Sequence, residues 1–213
     1  MLPLAFYVLN LPVAARFYKH FRESVQQKIE GYTGELFIWV FFVFGLTTFF
    51  AEFILNSFYG PSFMEAAWVF RILMLAFLIQ SGAIVLGMSC QAAEYHKVVL
   101  YIIAFRAVIN VVLNFILIPV WGMFGAALAT LLSAAFAFVI FQIFVNRALH
   151  GFQWISVIRK PALTCLGIMF LLFPLVDHLS TFYLFLMFLL GYGVTLFALN
   201  GFSLFRSNPT GLG

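Results

Sequence analysis

Long apolar stretches, each closed by a short polar or turn-forming segment, set the pattern of this chain. Runs at 36–57, 64–90, 98–119, 122–146 and 181–204 are long enough to cross a bilayer, and a shorter run at 161–176 stands at the low end. A helical span needs about 20 residues at 1.5 Å each. The pattern predicts an all-α, polytopic transmembrane bundle of about six full spans. Two upstream segments depart from it. Residues 1–14 are apolar but short and carry Pro3 and Pro12. They read as the end of a truncated N-terminal helix, or as a re-entrant or interfacial segment. Within 16–30, Phe17, Phe21, Val25 and Ile29 recur every four residues, with Arg16, Lys19, Arg22, Glu23 and Lys28 on the other faces. That spacing predicts an interfacial amphipathic helix lying along the membrane, ended by Gly31 and Gly34.

Composition removes the soluble alternative. Of the 213 residues 65% are hydrophobic and 8% charged, against about 25% charged in soluble domains. So little charge cannot cover a water-facing surface. Cys90 and Cys165 both lie in apolar runs, which points to buried thiols rather than a disulfide. No cleavable signal peptide is expected, because no positive segment precedes the first apolar stretch.

The net charge of +4 is read as topology, with no nucleic-acid partner implied. Arg16, Lys19, Arg22 and Lys28 precede the first span, Lys97 follows the second, Arg147, Arg159 and Lys160 follow the fourth, and Arg206 follows the sixth. With spans alternating in direction, all of these fall on one side. The opposite loops, 58–63, 119–122 and 177–180, hold no Lys or Arg. The basic side is therefore expected to be cytoplasmic. Trp39, Trp68 and Trp121 stand near span ends, where indole rings collect.

Two arginines remain inside spans. Arg106, Asn110 and Asn114 are four residues apart and share one helix face. An arginine at a helix centre costs about 2.5–3.5 kcal/mol on insertion scales, so such a face turns toward a bundle interior or a wet cavity. Either it lines a substrate pathway, or Arg106 reaches the interface and the asparagines bind neighbouring helices. Arg71 lies in the outer half of its span, as does Glu52 in the span before it, between Thr48 and Asn56. A Glu52–Arg71 ion pair would lower the burial cost of both, and it fits a helix lock as well as a role in coupling. Gly125, Ala129, Ser133 and Ala137 form a small-residue seam for close helix packing, after a tight turn from Pro119 to Gly122.

Catalytic signatures are missing. There is no G-x-x-x-x-G-K-[ST], no H-E-x-x-H and no G-x-S-x-G, and His20, His96, His150 and His178 are scattered through loops. No cofactor and no metal site is expected. Asp177-His178 is a thin basis for an intramembrane glycosyl- or acyltransferase.

The stretches Phe58-Tyr59-Gly60-Pro61-Ser62-Phe63, Val108-Ile109-Asn110-Val111-Val112-Leu113-Asn114-Phe115-Ile116-Leu117-Ile118-Pro119 and Gly122-Met123-Phe124-Gly125-Ala126-Ala127-Leu128-Ala129-Thr130 carry a resemblance. They resemble the C-terminal half of bacterial polysaccharide flippases, in the multidrug/oligosaccharidyl-lipid/polysaccharide exporter superfamily. The resemblance implies that 1–147 is most of a second transmembrane lobe whose first lobe is missing, and that 148–213 holds two additional C-terminal helices. It implies a transporter, not an enzyme, in the bacterial cytoplasmic membrane. Its cargo would be a polyprenyl-phosphate-linked glycan, flipped across the membrane lipid by alternating access. A drug or ion-coupled exporter of the same superfamily is the alternative. The candidate pathway residues are Arg106, Asn110, Asn114, Arg71 and Glu52.

Overall fold

The computed structural model describes residues 22–149, 154–175 and 181–204, and every regular element among them is helical. Helix α1 spans Arg22–Phe49 and α2 spans Ala51–Tyr59; a 3-10 turn at Pro61–Ala66 leads into α3, Ala67–Ala92. Helix α4 spans His96–Ala148, α5 spans Trp154–Leu172 with a 3-10 turn at Phe173–Leu175, and α6 spans Thr181–Leu204. All six apolar runs are helical where they are described. Residues 1–21, with the short apolar start and the first part of the amphipathic segment, lie outside the described residues.

At 53 residues α4 would be about 80 Å long if straight, far beyond a hydrocarbon core of about 30 Å. It is instead a hairpin. Gly122 has φ 54° and ψ −130°, a positive-φ conformation that glycine adopts without a Cβ clash. Contacts nest symmetrically around it: Asn110 Nδ2 lies 3.1 Å from Ser133 Oγ, the Phe105 and Phe136 rings are 5.7 Å apart, and the Tyr95 and Phe144 rings 5.1 Å. A Cβ on Gly125 would run into the Leu117 carbonyl. One glycine therefore makes the turn and the next lets the limbs touch. The two limbs, 96–121 and 123–148, are the third and fourth spans of the sequence pattern. The seam is buried as expected, with Gly125, Ala129, Ser133 and Ala137 all inside.

Helix α1 stands in the middle of the bundle. It packs on α3 on one flank and on α5 and α6 on the other, and α3 in turn carries the α4 hairpin. The core is aromatic and close-fitting. Tyr192 and Phe188 stack at 6.0 Å, Phe42 lies 5.1 Å from Tyr192, and the Tyr192 hydroxyl donates to the Ile38 carbonyl at 2.6 Å. A Cβ on Gly45 would meet Cys165 Sγ at 2.6 Å, so this glycine sets how near α5 comes to α1. Lipid tails are as apolar as these side chains, so fit of this kind and internal hydrogen bonds hold the helices together. Both cysteines are free and buried.

Two expectations need correction. Helix α1 runs unbroken through Gly31 and Gly34, so 22–30 is the first part of a longer helix and not a separate element ended by those glycines. A glycine inside a helix costs only about 1 kcal/mol relative to alanine, and the buried Thr33, Leu36 and Phe37 secure α1 just beyond it. The run at 36–57 is not one straight span either, because its axis bends by 71° at Phe50 between α1 and α2.

Candidate functional site

The bend at Phe50 and the first intramembrane arginine belong together. Around the break the Phe50 N–H still reaches the Leu46 carbonyl at 3.0 Å and the Ile54 N–H reaches the Phe50 carbonyl at 2.8 Å. The Thr48 carbonyl between them accepts from Arg71 Nε at 3.2 Å. The same guanidinium donates through Nη2 to Glu52 Oε1 at 3.1 Å, and its Cζ lies 4.8 Å from the centre of the Trp68 ring. Arg71 thus holds a carbonyl at the break, a carboxylate one turn further on, and an aromatic face on its own helix. The expected Glu52–Arg71 pair is present. The Thr48 hydroxyl is buried with no hydrogen-bond partner among the described residues.

The second cluster lies deeper. Arg106 projects from the first limb of α4 toward α3 and donates through Nη2 to Gln80 Oε1 at 2.5 Å. Gln80 sits halfway along α3 in an otherwise apolar stretch. One turn on from Arg106, Asn110 Nδ2 donates across the hairpin to Ser133 Oγ at 3.1 Å. Asn114 Nδ2 donates back to the Asn110 carbonyl at 2.8 Å and to Asn110 Oδ1 at 3.0 Å. Ser133 donates to the Thr130 carbonyl at 3.0 Å, and Thr130 to the Ala126 carbonyl at 3.0 Å. The polar face of the first limb therefore meets a polar line on the second; the Asn110 amide ties the limbs together, and Asn114 braces Asn110 from its own limb. Arg106, Asn110 and Asn114 are all half-buried.

The candidate residues thus form two groups. Arg106, Asn110 and Asn114 share the α3–α4 face, while Arg71 and Glu52 sit at the α1–α2 break. Among the described residues no hydrogen bond or ion pair joins the groups. Their electrostatics differ. Arg71 is neutralised by a carboxylate. Arg106 meets a neutral amide oxygen, and among the described residues no carboxylate stands within 4.0 Å of it. Sequence reading missed Gln80 as a partner; an amide in the middle of an apolar helix signals a polar contact without identifying its partner.

No protein-family model matches the chain. Over 92 residues it is 35% identical to an uncharacterized membrane protein of Methanocaldococcus jannaschii, an alignment covering 43% of this chain and 22% of that protein. Over 108 residues it is 34% identical to the probable low-salt glycan biosynthesis flippase Agl15 of Haloferax volcanii, covering 51% of this chain and 21% of that protein. These alignments span about a fifth of each relative's length. Among solved structures, the lipid II flippase MurJ in its inward closed conformation superposes with a TM-score of 0.75 and 16% identity, over 94% of this chain and 45% of that one. The chain therefore shares the helical-bundle fold of the superposed part of that structure, and it is a multi-pass membrane protein.

Proposed function

We propose that this chain, whose named relatives by sequence and by fold are flippases, is one helical bundle of a transporter that flips a lipid-linked glycan across the cytoplasmic membrane by alternating access. Residues 1–147 form most of its second lobe and 148–213 add two helices. The partner is a first lobe, because the superposition takes in 45% of the solved flippase. The basic loops face the cytoplasm. Both sequence relatives are archaeal, so the carrier is assigned only as a polyprenyl phosphate or pyrophosphate.

The observation that carries the reading is Arg106. It is a half-buried, un-neutralised cation near the middle of an apolar helix. A charge in that position is costly unless it serves a pathway or finds a counter-charge. The phosphate of a lipid carrier is such a counter-charge, with two or more oxygens for the guanidinium fork. Asn110 and Asn114 shape the wall beside it. Glu52 and Arg71 hold the bent helix that borders the outer half of the lobe. A cationic drug would be repelled by Arg106, which disfavours the exporter alternative.

The test is export of a polyprenyl-phosphate-linked glycan in cells lacking their own flippase. Joined to a matching first lobe, the chain restores export. Residues 1–213 alone do not, since one lobe cannot enclose a two-sided cavity. Restoration by the monomeric chain alone, or failure of the joined and correctly inserted protein, would overturn the reading. For sidedness, cysteines replacing Ser62 and Ser180 react with an impermeant thiol reagent added outside, and one replacing Ser156 does not; the reverse labelling inverts the orientation.

A further inference from the structure

The pairing of Arg106 with an amide rather than a carboxylate carries a further assignment, which rests on the cargo reading above. We propose that Gln80 sets the charge selectivity of the site: it orients the Arg106 guanidinium while leaving its full positive charge available to a lipid-borne phosphate. The amide oxygen accepts from one Nη2 hydrogen at 2.5 Å. A guanidinium has five N–H donors in a fixed fork, so one neutral acceptor aims the fork and leaves most of it for a ligand. A glutamate of the same length would make the same contact as an ion pair and cancel the charge. The molecule contains that arrangement at Arg71, where Glu52 supplies a carboxylate oxygen at 3.1 Å. There the arginine also holds the Thr48 carbonyl and covers Trp68, so its charge is paired and two of its five donors are taken. Gln80 is a positioning residue: it acts on the ligand through Arg106.

A purely structural Gln80 makes the same prediction for stability and a different one for the ligand. Were the contact only a strut between α3 and α4, glutamate would strengthen it, because a charge-assisted hydrogen bond is stronger than a neutral one. The two views separate on ligand preference, which a strut has no means to change.

The experiment uses the chain joined to a matching first lobe, in lipid nanodiscs, titrated with farnesyl phosphate and with farnesol, empty nanodiscs serving as the blank. Wild type binds the phosphate in preference to the alcohol. In Gln80→Glu that preference falls by about tenfold or more, the scale of a charge-assisted contact, with the protein as heat-stable as wild type or more so. Gln80→Leu, which removes the anchor without adding a charge, loses less of the preference than Gln80→Glu. An unchanged preference in Gln80→Glu, with Arg106→Ala losing it, overturns the Gln80 assignment and leaves the cargo reading standing. An unchanged preference in Arg106→Ala, or none in wild type, overturns both. Where Gln80→Glu yields no folded protein, Gln80→Leu decides: loss of preference as complete as in Arg106→Ala would mean that the amide acts by geometry and not by sparing charge.

Discussion

Arg71 and Arg106 both lie well inside apolar spans, and their surroundings differ in kind. Arg71 closes a local structure: a carbonyl at a helix break, a carboxylate and an indole ring take up its guanidinium. Arg106 touches one neutral amide on the neighbouring helix. The comparison teaches that an intramembrane charge is not by itself a mark of function. What separates a strut from a ligand contact is how much of the side chain's hydrogen-bonding and charge remains after its neighbours are satisfied. By that criterion Arg71, with its charge paired, is the candidate strut, and Arg106, with its charge unpaired, is the candidate ligand contact.

The largest expected effect breaks the comparison at Arg106. In the assembled transporter, Arg106→Ala lowers flux by about tenfold to a hundredfold, from the loss of a charge-assisted contact worth about 1.5–3 kcal/mol, at unchanged protein level. Arg106→Lys keeps part of the flux, because a point charge still attracts phosphate while the planar fork is lost. Wild-type flux in the alanine variant, with the amount of membrane protein measured alongside, would remove the cargo contact.

Next comes the neutralised pair. Glu52→Gln leaves Arg71 without its carboxylate and destabilises the bundle by about 1–2 kcal/mol, read as a lower Tm in detergent. Combining Glu52→Gln with Arg71→Met recovers part of that loss, since no stranded charge remains. Additive losses in this cycle would mean that the pair has no energetic coupling. Ser133→Ala, which removes the acceptor for Asn110 across the hairpin, costs about 0.5–1.5 kcal/mol and leaves the phosphate preference unaltered; a changed preference would move Asn110 from hairpin glue into the ligand contact. Smallest is Trp68→Leu, with a loss of about 0.5–1 kcal/mol as the cation–π contact disappears, measurable as a modest fall in Tm.

Much of this was legible beforehand, for identifiable reasons. The six runs were readable because the thickness of a bilayer imposes a length on apolar sequence, and the hairpin because Pro119 and Gly122 stand between two such runs. The Glu52–Arg71 pair was readable because two opposite charges in adjacent spans have few other ways to lower their burial cost. The bend at Phe50 was not, since neither proline nor glycine occupies that position; Arg71, a residue of another helix, takes the Thr48 carbonyl there. The continuity of α1 through Gly31 and Gly34 was misread because glycine weakens a helix without obliging it to end. The Gln80–Arg106 contact depends on how α3 and α4 are rotated about their own axes, and spacing within either helix carries no information on that.

The hairpin of α4 has a consequence for how the protein enters the membrane. Its first limb bears Arg106, Asn110 and Asn114, a burden for a helix emerging alone from the translocation machinery. Its second limb is rich in alanine and presents Ser133 opposite Asn110. The turn between them holds Trp121 and Gly122 and no charged group to carry across. The limbs are therefore suited to partition into lipid as a pair, each amide already matched, with the second helix completing the insertion of the first. A nascent chain stopped before Gly125 would leave the Asn110 amide without its Ser133 partner; one extended past Ser133 would not.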